Sequence, residues 1–105
     1  MEANYMTILD EVKSYLGLDS DDSFDTELKN AIDDALAQVS QISLSEVDLS
    51  SGDEFPSGNH GRLMRSYVCY SVRLTFDPPP TSFAIECISK LKEEAAWRMS
   101  IQKTS

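Results

Sequence analysis

The sequence predicts an all-α protein, a small bundle of four helices with a long loop between helices 2 and 3 and a long C-terminal helix. Three observations carry this reading. Phe24, Leu28, Ala31, Ile32, Ala35, Leu36, Val39 and Ile42 recur at helical spacing and form one continuous apolar stripe. Two further amphipathic segments, 62–75 and 81–102, flank Phe76-Asp77-Pro78-Pro79-Pro80. Each proline fixes its own φ, lacks an N–H and pushes the preceding residue out of the helical region, so neither segment can cross the run. Finally, Leu16-Gly17-Leu18 places a glycine where a helix ends in left-handed geometry, with an apolar residue after it to fold back. A chain of 105 residues makes a single domain, 1–105, with a modest core.

The first helix is expected over Met6–Leu16, with Ile8, Leu9, Val12 and Leu16 inward and Thr7 with Asp10 as a capping box. Asp19-Ser20-Asp21-Asp22-Ser23 resembles the start of a calcium loop. Such a loop needs glycine at its sixth position and glutamate at its twelfth, where this chain has Phe24 and Asn30. The acids are instead expected to cap helix 2, accepting its free N–H groups and opposing its positive dipole end. Helix 2 itself carries the stripe, which is read as core and given no chemistry.

From Ser43 to Gly61 the pattern dissolves into serine, aspartate, glycine and a proline, and a connection of this length is functional or mobile. His60 stands alone in it, without a catalytic partner. The third segment reads two ways. Val68, Tyr70, Val72, Leu74 and Phe76 alternate as a strand would. On a helix, Arg62, Arg65, Ser66, Cys69 and Arg73 share one arc, with Leu63, Tyr67, Tyr70 and Leu74 opposite. The helix is chosen, because a strand would split the arginines and lack a partner to pair with. The fourth helix begins at a Thr81 or Ser82 cap; Ala84, Ile88, Leu91, Ala95 and Met99 mark one face, Phe83, Ile85 and Trp97 flank it, and Glu94/Arg98 is an i,i+4 pair. At roughly 30 Å it is long for so small a domain, so that part of it, including Trp97, can project to another chain.

Net charge is −9, unevenly spread: residues 1–61 hold fourteen acids and two bases, and residues 62–105 hold four acids and seven bases. This argues against a simple nucleic-acid binder, which needs a basic footprint. It suits head-to-tail self-association, or else a solvated acidic face that maintains solubility. Cys69 and Cys87 are expected as two small buried hydrophobes, reduced in a cytosolic chain. The start of the chain lacks the layout of a secretory signal and no apolar run approaches a membrane span, which gives an intracellular expectation. No nucleophile, glycine loop or metal set accompanies the carboxylates, so an enzyme is not expected.

Tyr67-Val68-Cys69-Tyr70-Ser71-Val72-Arg73-Leu74-Thr75-Phe76-Asp77-Pro78-Pro79, then Thr81-Ser82-Phe83, then Glu93-Glu94-Ala95-Ala96-Trp97-Arg98-Met99 resemble the head–tail connector (adaptor, head-completion) proteins of tailed bacteriophages and prophages. Ile8-Leu9-Asp10-Glu11-Val12-Lys13-Ser14-Tyr15-Leu16-Gly17-Leu18 is similar to the start of that family. The resemblance implies a four-helix protomer that forms a homo-oligomeric ring beneath the portal protein, matching its symmetry. The ring would meet a stopper or tail-completion protein below and let DNA pass without specific binding. It also implies no catalysis, no cofactor, no metal and no membrane, and a place at the head–tail junction of the virion after assembly in the bacterial host cytoplasm. Like charge on the wall of such a conduit would keep DNA from sticking.

The residues expected to carry this function are interface residues. Arg62, Arg65 and Arg73 are candidates to pair with Asp21, Asp22, Asp25 or Asp33 of a neighbour, and Trp97 and Met99 are candidate apolar anchors. For Trp97 the alternative is plain core packing. A different class of function, a soluble acidic DNA mimic that inhibits a nucleic-acid enzyme, would explain the acidic half but not the basic one.

Overall fold

Four helices, α1 (Ile8–Leu16), α2 (Asp25–Ser43), α3 (Gly58–Phe76) and α4 (Ser82–Gln102), follow one another in a computed structural model that describes residues 6–43 and 47–102. The described residues contain no strand, so the ambiguous third segment is a helix. It is also the central one. α3 packs against each of the other three helices, whereas α4 rests on α3 and α2 and makes no contact with α1. One apolar core draws on all four: Ile8 and Val12, then Leu28, Ile32, Leu36 and Val39, then Met64, Val68 and Val72, then Ala95 and Met99.

Local chemistry fixes α1 at both ends. The Asp10 N–H donates to Thr7 Oγ1 at 3.1 Å and the Thr7 N–H donates to Asp10 Oδ2 at 3.2 Å, a closed capping box. At the other end Gly17 takes φ 79°. The Leu18 N–H then reaches back to the Lys13 carbonyl at 2.8 Å and the Gly17 N–H to that of Ser14 at 3.2 Å. Loop carbonyls take two of the N–H groups that the first turn leaves free, Asp53 for Ile8 at 2.7 Å and Ser51 for Leu9 at 3.0 Å. The loop thus serves as part of the cap of α1. Its apolar residues Val47, Leu49 and Phe55 pack against the core. The expected connection extended to Gly61, but its last four residues form the first turn of α3.

The acids before α2 do not cap it as expected. The Asp21 carboxylate accepts the Ser23 N–H at 2.9 Å, which holds its pKa below the ordinary range. Asp22 Oδ1 lies 2.9 Å and Asp25 Oδ1 3.0 Å from Lys13 Nζ. Lys13 is the one base on α1 and it is buried, so the two carboxylates join α1 to the start of α2. Their hydrogen bonds raise the ammonium pKa.

On α3 the most buried line is Met64, Val68 and Val72, one turn apart, not Leu63, Tyr70 and Leu74, which are half-buried. The expected division was displaced because a central helix is covered on most of its circumference. α1 lies over the arc assigned to the arginines, burying Cys69 and pairing Glu11 with Arg65. Tyr67 joins three helices: its hydroxyl donates to Gln38 Oε1 on α2 at 2.7 Å, and Lys92 of α4 stands 5.4 Å from its ring centroid.

Cys87 departs from expectation, for it is exposed on α4 while Cys69 is buried. Burial pushes the Cys69 thiol up to about 11, so its reactive thiolate is scarce at neutral pH. One thiol per native chain should therefore react rapidly with an aromatic disulfide reagent near neutral pH, and both after denaturation. Two equally fast thiols in the native protein would contradict the packing of α1 over α3.

Candidate functional site

The candidate residues separate into those whose charge is used inside the protomer and those left at its surface. Arg65 Nε stands 3.2 Å from Glu11 Oε1. Arg73 is half-buried beside Tyr15, and its Nε is covered without a hydrogen-bond partner among the described residues. Asp22 and Asp25 hold Lys13. Asp21 is engaged with the Ser23 backbone. Of the proposed ion-pairing set, Arg62 and Asp33 remain exposed without an ion pair among the described residues.

The two apolar candidates part in the same way. Met99 is 0 % exposed and belongs to the protomer's own core, so in this fold it offers no surface to another chain. Trp97 is 62 % exposed. At 100° per residue the two lie on opposite sides of α4. Ala95 and Met99 turn toward α3 and α2, while Phe83, Trp97 and Ile101 turn away, Phe83 being 76 % exposed. Leu91, which shares the expected face with Ala95 and Met99, is 46 % exposed because it sits near the edge of the buried side.

An open groove brings two of these candidates, Arg62 and Trp97, together. Asn59, Arg62 and Leu63 from the start of α3 face Trp97, Arg98 and Ile101 from the end of α4. Arg98 Nη2 donates to Glu94 Oε2 at 2.9 Å, an exposed pair worth only tenths of a kcal/mol. The groove therefore combines two guanidinium groups with an indole and two aliphatic side chains. Arg98 was legible only as an intrahelical partner of Glu94, and its adjacency to Trp97 on an over-long helix was the available signal.

On α2, Glu27, Asp33 and Asp34 are exposed and none has an ion-pair partner among the described residues. They lie opposite the buried stripe. Asp34 had no assigned role in the sequence, since its position off the stripe marks it only as solvated.

Among the described residues no three His, Cys, Asp or Glu side chains come together as a metal site. No helix of the described residues is long and apolar enough to cross a membrane. The surface presents an apolar, basic groove between α3 and α4 and, on α2, an exposed acidic face. A family model described as phage connector protein matches residues 8–105, from the first residue of α1 through all four helices. The chain matches no curated protein and no solved structure.

Proposed function

The chain belongs to the phage connector protein family, and we propose that it is a subunit of the head–tail connector ring, docked below the portal protein and extending the DNA channel toward the tail. The observation that carries this reading is the family match over the whole helical bundle, and the surface of α4 supports it. A protomer that folds around its own core yet leaves Phe83 and Trp97 largely exposed is built to be covered by something else. The groove beside Trp97 and the acidic face of α2 give it two unlike contact surfaces. Unlike surfaces join head to tail, and a head-to-tail contact closes into a ring when its rotation allows.

The portal protein is the partner on the capsid side in this reading, and a stopper or tail-completion protein the partner on the tail side. DNA passes through without specific binding. The excess of carboxylates in the first half supports that, because a channel wall of like charge repels phosphate and lets the duplex slide. The virion is then the site of action, and the role is mechanical, not catalytic.

Electron microscopy of the purified chain mixed with the portal of its phage tests this. Closed rings stacked coaxially on the portal are the expected image. A chain that stays solitary beside intact portals, and instead competes with DNA for an enzyme, would replace the connector reading with that of an acidic DNA mimic.

A further inference from the structure

The groove between the start of α3 and the end of α4 brings exposed apolar area together with two guanidinium groups, one of them without an ion pair among the described residues. Trp97 and Ile101 supply the apolar part, Arg62 and Arg98 the charge. A tryptophan carries about 150–250 Å² of surface, so leaving it in water forgoes one of the largest single burial gains available to the chain. α4 is also apolar on two sides. Ala95 and Met99 face the core, while Phe83, Trp97 and Ile101 fall within roughly 40° of one another on the far side. A helix patterned in this way has two neighbours, and the protomer provides only one side of them.

The charge of the groove indicates what fits it. Arg62 lacks an ion pair among the described residues, and Arg98 shares a single exposed carboxylate. Their complement is a pair of carboxylates beside a residue small enough to let an indole approach. The chain carries such a surface on the outer side of α2. Asp33 and Asp34 are exposed there, and Ala37, also exposed, follows them by four and three residues, on the same face and between them in angle. None of the three contributes to the core.

We infer that the groove of one copy receives the outer face of α2 of a second copy. Arg62 and Arg98 meet Asp33 and Asp34 of that copy, and Trp97 seats over its Ala37. This rests on the connector reading above and names the surfaces by which neighbouring subunits join. It also selects, from the basic half and the acidic half, groups that folding leaves without an ion pair among the described residues or, for Arg98, with only an exposed carboxylate of its own helix. Arg65, Asp22 and Asp25 take no part, because Glu11 and Lys13 already hold them.

Charge exchange tests the pairing, with the wild-type chain on its portal as reference and ring yield counted by electron microscopy. A chain carrying Arg62→Glu and Arg98→Glu should form roughly ten-fold fewer rings, and so should one carrying Asp33→Lys and Asp34→Lys. Circular dichroism should show unchanged helicity for both, since all four positions are exposed. Mixed together, the two variants should recover rings, because each reversed groove then finds a reversed α2 face on the other. Folded variants that both fail and do not rescue one another overturn the inference. So do variants that both assemble as the wild type does, and in either case the connector reading stands if wild-type rings are present. Absence of wild-type rings would overturn both. A Trp97→Ala chain that forms rings normally but no longer binds the portal assigns the groove to the portal, and that too overturns the pairing between copies.

Discussion

Replacing Ile32 with alanine is expected to lower the unfolding free energy by about 2–5 kcal/mol. Ile32 lies in the middle of α2, is 0 % exposed, and shares one core with residues of α1, α3 and α4. Removing its outer carbons loses their transfer free energy and leaves a cavity that helices fixed on several sides cannot fill by moving together. Domains of this size have total stabilities near the lower part of about 5–15 kcal/mol, so the change consumes a large share. Each kcal/mol moves Tm by roughly 4–8 °C, and the shift should be obvious in a thermal melt followed by circular dichroism. Leu91→Ala is the natural comparison. Leu91 shares a face of α4 with Ala95 and Met99 but is nearly half exposed, so its loss should cost well under half as much. Equal losses at both positions would mean that α4 is rotated from the orientation described.

That contrast shows what periodicity carries and what it does not. The stripe of α2 was legible because its helix has one buried side, and five of its eight members, Leu28, Ile32, Ala35, Leu36 and Val39, are buried. The ends of α1 were legible because Thr7, Asp10 and Gly17 act within a few residues of themselves. α4 was legible as a helix but not as a face. Apolar residues on both its sides leave two directions open, and only contact with α3 and α2 selects Met99 for the core and Trp97 for the surface. The arginines of α3 met the same limit. Their angle on the helix was readable, but Arg65 is spent on Glu11 because α1 returns across that arc, a long-range event that spacing on one helix cannot contain. Asp22 looked like a cap and Asp25 like an ion-pairing candidate for a neighbour, until Lys13 of α1 was placed between them. The candidate residues were accordingly only half readable: their types and spacing are in the sequence, and folding decides which of them remain at the surface.

The start of α3 was missed for a different reason, and it sets up a contest between two effects of opposite sign. Gly58-Asn59-His60-Gly61 has no apolar rhythm and contains two glycines, so it reads as loop, yet all four residues are helical. Helix propensity alone says that Gly61→Ala should stabilise the protein by up to about 1 kcal/mol. The fold says otherwise. Gly61 is buried, and a methyl group built there would collide with the carbonyl of Pro56, which is backbone and cannot rotate aside as a side chain would. Relief requires moving the loop, whose Ser51 and Asp53 carbonyls hold the first turn of α1 and whose Phe55 packs on the core. Overpacking of this kind costs about 1–3 kcal/mol, enough to outweigh the propensity gain, so Gly61→Ala should be destabilising in chemical denaturation. Gly52→Ala supplies the control, because a methyl group there meets nothing within 4 Å and should change stability by less than about 0.5 kcal/mol. If Gly61→Ala raised stability instead, α3 would not start against Pro56, and the loop would have to be removed from the account of how α1 is held.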